Sequence, residues 1–298
     1  MKNKITVIIV TYKTNENILK RCLSAISRNI NIIIVENSRR FKNKDLFLKK
    51  YKNLKIICSG SNLGYGGGNN FGLKQVKTKY ALILNPDAFC QKSFFKILNN
   101  QIKLVKDFYL IGCSYKNYKK IIPAGFFDNK RHTKFKKDII SNKIKSITEV
   151  DWIRGFSIVV NLNKFRNRNI FDKNYFLFFE EIDLCKYIKK RNGSIFFSKD
   201  LKINHLGFKS SANISNQEIE NLRNWHYMWS SFYFYKKNYD FLFALKKMSG
   251  KLFRSLLKVL FYQIIFHKLK KNKYLFRFLG ISYSILGLPS NYRINKFD

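Results

Sequence analysis

Residues 5–12 read Ile5-Thr6-Val7-Ile8-Ile9-Val10-Thr11-Tyr12. Over 5–10 the run is apolar or β-branched throughout, as a strand covered on both faces requires. Ile18, Leu19, Cys22, Leu23 and Ile26 follow on one helical face, with Thr14 available as N-cap. Apolar runs recur at 31–35, 54–58 and 80–84, with a Gly-rich turn and a short helix near 69–76 before the last. Residues 93–105 read as an amphipathic helix and 109–113 as a strand. Alternating strand and helix signals predict an α/β fold, a mainly parallel sheet flanked by helices with right-handed crossovers.

Residues 114–149, rich in Lys and Asn, break this rhythm and read as loop. Strand signals return at 150–152 and 155–161, and 171–179 is dense in aromatics. A helix over 180–191 ends at Gly193. Two short strands, 194–197 and 201–205, follow it. From about Glu218 the pattern is helical. Residues 241–298 hold 12 Lys and Arg against one acid, Asp298, interleaved with Leu, Phe, Ile and Tyr. The chain therefore divides into 1–240, with halves 1–113 and 150–240, and a basic amphipathic helical extension over 241–298.

The 298 residues carry 58 Lys and Arg against 18 Asp and Glu, a formal charge of +40, yet 46% are hydrophobic and 16% aromatic. That excludes a disordered basic tail, a collagen-like chain and a disulfide mini-protein. Part of the Lys excess travels with Asn, Ile, Phe and Tyr, all with AT-rich codons. What remains favours anionic partners: nucleotide phosphates, nucleic acid or an acidic leaflet. Cys22, Cys58, Cys90, Cys113 and Cys185 show no C-x-x-C spacing and read as buried hydrophobes in a reducing compartment. The apolar run at 5–10 is too short for a signal segment, and no uncharged apolar stretch reaches the ~20 residues of a spanning helix. A cytoplasmic protein is expected.

Four constellations carry chemistry, each at a strand end, where open α/β sheets form their ligand crevice. Asn62-Leu-Gly-Tyr-Gly-Gly-Gly-Asn69-Asn70-Phe-Gly72 lets backbone N–H groups approach a phosphate. It matches neither the P-loop nor the dinucleotide fingerprint, and alone it reads equally as a turn. Leu84-Asn85-Pro86-Asp87 puts a carboxylate where a divalent cation could bridge a diphosphate, although Asn-Pro-Asp is also good turn chemistry. Glu180-Glu181-Ile182-Asp183 clusters acids in an acid-poor chain; the bland reading is helix-dipole compensation, the functional one a general base. His205, followed by Gly207, Lys209 and Ser210, is a candidate ligand beside the reading of a packed histidine.

In this order these residues resemble the family 2 inverting glycosyltransferases of GT-A fold, most nearly their bacterial rhamnosyltransferase-like branch. The match includes Ile5 to Tyr12, Val35-Glu-Asn-Ser38, Asn62 to Gly72, Leu84 to Asp87, Gly155, Phe171-Asp172, Glu180 to Leu184 and His205. It spans about residues 4–240. The resemblance implies a Rossmann-like GT-A domain with Thr11, Tyr12 and Glu36 around the nucleotide base and ribose. Asn62, Gly64 and Asn70 would lie against the nucleotide. Asn85 and Asp87 would occupy the family's D-x-D element, with Asp87 and His205 holding Mg²⁺ or Mn²⁺. The base belongs to the Glu180-Glu181 pair, first of all Glu181, with Glu180 and Asp183 sharing the candidacy. Two positions depart from the family: Glu36 and Glu181 stand where Asp is usual.

The resemblance further implies a nucleotide-sugar donor, thymidine-diphosphate rhamnose first and uridine-diphosphate hexoses next. The acceptor would be a glycan or lipid-linked glycan of cell-surface polysaccharide synthesis. Trp152, Tyr175 and Phe178 could line the acceptor site or simply pack in the core. The Lys-rich tail points to peripheral attachment at an anionic membrane surface, or to packing on the catalytic domain. Two rival classes are a basic RNA-binding protein and a transferase fold that binds glycan without catalysis. No RRM, KH or helix-turn-helix pattern accompanies the charge, so no nucleic-acid partner is expected.

Overall fold

The computed structural model describes residues 4–115, 122–207 and 216–294. Lys209 and Ser210 lie outside them. The β-branched runs become neighbouring strands, β1 (Ile5–Thr11), β2 (Asn31–Glu36), β3 (Leu54–Cys58) and β4 (Tyr80–Leu84). They pair in parallel in the order β3-β2-β1-β4. Val7, Ile8 and Ile9 are wholly buried, as burial on both faces demands. Between the strands run α1 (Glu16–Ser24), α2 (Lys44–Lys50) and α3 (Gly64–Leu73). The cap of α1 is Asn15 rather than Thr14; its side chain accepts from the N–H groups of Asn17 and Ile18.

The rest of the sheet is mixed. Its elements are β5 (Ala88–Cys90), α4 (Phe94–Leu104), β6 (Leu110–Tyr115), β8 (Ile147–Val150), β10 (Ser157–Asn161) and β11 (Ile195–His205). A hairpin-like pair, β7 (Ala124–Gly125) with β9 (Trp152–Ile153), stands apart. Among the described residues the large sheet has nine strands, continuing β4-β10-β6-β11-β5, with β8 also on β11. β10 runs antiparallel to both neighbours. The segment 114–149 is not all loop, because Asp128 caps α5 (Asn129–Ile140), which buries Phe135 and Ile139. The two strands expected over 194–205 are one strand whose register shifts between Ser198 and Lys202. Ser198 Oγ accepts from the N–H groups of Asp200 and Leu201 across that irregularity.

The chain forms two compact units. The first holds the sheet. The second gathers 64–67, 172–183 and 213–298, with α7 (Asn216–Asn238), α8 (Phe241–Ile264) and α9 (Lys268–Ile285). Met228 and Phe232 of α7, Ala244 and Met248 of α8 and Ile281 of α9 form its apolar cluster. The basic helices thus share a core with α7. Residues after α9 return to α7: Trp229 Nε1 donates to the Leu288 carbonyl, and the buried His226 ring lies between Ser290 Oγ at 3.0 Å and the Tyr292 carbonyl at 2.9 Å. Burial holds the pKa of His226 down to about 3. Among the described residues no helix is long and apolar enough to cross a membrane.

Candidate active site

In the first unit three strand tips carry the polar groups that the sequence singles out. Thr11 and Glu36 are partners in the β1–β2 register. Thr11 Oγ1 donates to Glu36 Oε2 at 2.6 Å, Ser38 Oγ to Oε1 at 2.8 Å, and the Lys13 N–H to Oε1 at 3.4 Å. Glu36 is 4% exposed. Burial pushes its carboxyl above the ordinary range, against the pull of those three donors. Tyr12, half-buried, follows directly.

Most of the Gly-rich stretch is itself helical, forming α3 in place of the expected turn before a helix at 69–76. Its Gly72 end packs very close to these strands. A Cβ on Gly72 would stand 2.8 Å from both Ile8 Cγ2 and Val35 Cγ2, so only glycine permits that approach. Asn62 is half-buried at the start of the turn. Asn70 is engaged internally: its amide donates to the Phe171 carbonyl at 2.8 Å and accepts the Phe171 N–H at 3.0 Å. Both ends of that amide thus bond to the backbone of Phe171.

Asp87 and His205 meet because Ala88 and His205 are register partners in the β5–β11 pair. The Asp87 carbonyl also accepts the Leu206 N–H at 3.0 Å. His205 Nε2 lies 3.3 Å from Asp87 Oδ1, in ion-pair range but without hydrogen-bond geometry, and this buried nitrogen has no hydrogen-bond partner. Phe156 stacks on the imidazole at 5.1 Å and 17°, while its carbonyl accepts the Asn85 N–H at 3.0 Å. One carboxylate and one imidazole with an unpartnered Nε2, close together, fit a divalent cation that takes its remaining shell from water and a diphosphate. Among the described residues no group of three or more His, Cys, Asp and Glu forms a fuller cage.

The second unit contains 172–183, which leads into α6 (Glu180–Lys189). The three acids of its first turn differ sharply. Asp183 accepts from Lys237 Nζ at 2.5 Å, Asn238 Nδ2 at 2.8 Å and the Tyr175 hydroxyl at 3.3 Å. Lys237 also meets Asp172 at 2.7 Å, where the Tyr233 hydroxyl donates as well. Burial pushes Asp172 upward, but Lys237 and its other donors outweigh that and leave it below the usual range. Asp183 is therefore tied to Lys237, Asn238 and Tyr175. Glu180 is 4% exposed with Oε2 unpartnered, and burial, then the neighbouring Glu181, drive its pKa well up. Glu181 is the partly exposed one of the three.

Two features here escape the sequence reading. Lys237 sits in a Lys-rich chain with nothing local to distinguish it. Phe178 and Phe179 have φ of 70° and 69°, left-handed values that cost bulky residues roughly 1–3 kcal/mol each and recur beside functional sites. Among the expected acceptor aromatics, Tyr175 is fully buried with its hydroxyl on Asp183, so it supports that carboxylate instead of lining a surface. Phe178 packs on Tyr227. Trp152, half-buried in the first unit, donates from Nε1 to the Phe126 carbonyl at 3.2 Å. Gly64, with φ of +73°, has a left-handed backbone in which a Cβ would collide with the Phe176 carbonyl oxygen.

Comparison with known proteins places these features in a family. The model of glycosyl transferase family 2 matches residues 6–173. A hexosyltransferase of low-salt glycan biosynthesis from Haloferax volcanii is 26% identical over 65% of this chain and 64% of its own length. A rhamnosyltransferase of Escherichia coli is 26% identical over 60% of this chain and 74% of its own. The chain thus spans less than two thirds of the archaeal relative. Among solved structures, a mannosyltransferase from Pyrobaculum calidifontis, described in complex with GDP-Man and Mn²⁺, superposes with a TM-score of 0.53. That match covers 95% of this chain and 87% of that one, at 10% identity, which speaks to fold alone. Since the family model covers more than half of the chain and takes in the tips of β1, β2 and β4, this protein belongs to glycosyl transferase family 2, and its mixed sheet is the GT-A fold.

Proposed function

We propose that this glycosyltransferase moves a sugar from a nucleoside-diphosphate donor to a glycan hydroxyl with inversion, in cell-surface polysaccharide synthesis. The rhamnosyltransferase among its relatives favours thymidine-diphosphate rhamnose as donor; uridine-diphosphate hexoses are the second choice. A glycan or lipid-linked glycan is the acceptor. One observation carries the reading: a buried carboxylate and an imidazole with an unpartnered Nε2, Asp87 and His205, stand together at strand tips inside a family 2 domain.

Each residue then has a task. Thr11, Tyr12 and Glu36 receive the nucleoside, and Glu36, one methylene longer than the usual Asp, is steadied by the hydroxyls of Thr11 and Ser38. Asn62 and Asn85 flank the donor. Asp87 and His205 would hold Mg²⁺ or Mn²⁺, which supplies charge neutralisation for the departing diphosphate. Glu181 takes the acceptor proton as the hydroxyl attacks the anomeric carbon opposite the diphosphate. Phe178 and Trp152 remain the aromatic candidates for the acceptor site. The test is sugar transfer by the purified protein from a donor panel with Mg²⁺ or Mn²⁺. Transfer that needs Asp87 and Glu181 is expected; equal turnover by D87N and E181Q would sink the assignment.

A further inference from the structure

Helix α8 is apolar on two sides. Its inner side, through Ala244 and Met248, joins the cluster with α7 and α9. On the other, Phe253, Leu257, Leu260 and Ile264 recur at i, i+4, i+7 and i+11 and are all exposed, Ile264 at 74%. Just past the helix end, Phe266 is 88% exposed, and Leu269 in the first turn of α9 is 58% exposed. A soluble surface scatters such residues singly; a continuous apolar ridge marks an interaction site.

The helix end supplies a second, independent sign. The His267 N–H bonds the Tyr262 carbonyl and the Phe266 N–H bonds the Gln263 carbonyl, the paired bonds of a Schellman cap. Phe266 therefore fills the C′ position, at φ 52°, where glycine is favoured. Folding alone would select glycine there. A large ring stands there at a conformational cost, and it is exposed to solvent.

Charge identifies the occupant. Arg254 lies within the stripe's span, Lys268 and Lys270 bracket Leu269, and residues 241–294 contain no acid. A second copy of the chain would set these cations against themselves. Nucleic acid would leave Leu257, Leu260 and Ile264 without partners. An anionic bilayer satisfies both halves, with the apolar ridge at the acyl boundary and the Lys and Arg groups among lipid phosphates. We propose that the α8–α9 corner is a membrane-docking edge that inserts into the surface of an anionic bilayer without crossing it.

The test is co-sedimentation of the full chain with vesicles of equal phosphatidylglycerol and phosphatidylcholine, and with pure phosphatidylcholine. Binding to the anionic vesicles alone, weakened by salt, is expected. F266G removes the ring while giving the cap its favoured residue, so it should fold at least as well yet partition about tenfold less. K268E/K270E should also weaken partition by at least about tenfold, since each charge near the surface is worth several-fold. The proposal is overturned by equal binding to both vesicle types, by none to either, or by unchanged partition of F266G. It is likewise overturned by a dimer of the wild-type chain that F266G converts to monomer. The readout is binding, so it is independent of sugar transfer.

Discussion

Two pairs of acids, one pair in each unit, are held in opposite ways. In the second, Asp172 and Asp183 share one ammonium, Lys237. In the first, Glu36 is held by hydroxyls and a backbone N–H, and Asp87 faces an imidazole. With 58 Lys and Arg against 18 Asp and Glu, a cation is easily found for any acid. A buried acid without a Lys or Arg bonded to it has been shielded from an abundant partner, which makes it available to a ligand. On the proposed reading, acids clamped by Lys237 serve the fold, while Glu36 and Asp87 serve the donor.

The largest expected effect tests that division directly. D87N should lower kcat/KM for sugar transfer by about 10³-fold, the scale of losing a group that stabilises developing charge. Its unfolding midpoint should stay equal or rise, because no Lys or Arg pair is broken. A large loss of stability with activity retained per folded molecule would place Asp87 among the structural acids and erase the contrast.

K237M is the mirror experiment. It leaves Asp183 buried with only neutral donors and Asp172 half-buried beside it. Removing one partner of a buried pair costs about 3–5 kcal/mol. The Lys237 side chain is 37% exposed, so screening reduces the expected loss to about 2–3 kcal/mol by urea denaturation. Transfer per folded molecule should change much less than in D87N. If K237M is as stable as wild type but inactive, the clamp belongs to the reaction and not to the fold.

Much of the first unit was legible because its strands are buried on both faces. Ile5–Thr11 and Asn31–Glu36 announce themselves by composition alone. α2 escaped because Phe47 is its one buried residue, and β5 because it is three residues long. α5 hid in a Lys-rich stretch where Phe135 and Ile139 are its buried residues. The register shift in β11 looked like a gap between strands, since Lys199 and Asp200 interrupt its apolar pattern. Asp87 and His205 were legible as types at strand ends. Their meeting at 3.3 Å depends on the β5–β11 register, which no local pattern encodes. The Lys237 clamp was illegible for the same reason: a long-range pair looks like any other lysine.

Glu180 offers the smallest and sharpest test, because it lies in the second unit yet follows the first unit's rule. It is buried, and the charged group that most affects it is Glu181, which raises its pKa further beyond the effect of burial. Below its ordinary value of 4.5, folded and unfolded chains both carry the proton. Above 4.5 the unfolded chain releases that proton while the folded chain retains it, so this group's contribution to stability falls as pH rises, until the raised folded value is passed. Gln cannot titrate. E180Q should therefore match wild type in acid and become progressively more stable than it as pH rises, measured as the difference between paired denaturation curves, in which titrating groups away from the Glu180–Glu181 pair cancel. The opposite slope would mean that Glu180 is ionised in the folded protein and has found a cation after all, and the distinction between clamped and shielded acids would then fail at the residue where it is most exposed to refutation.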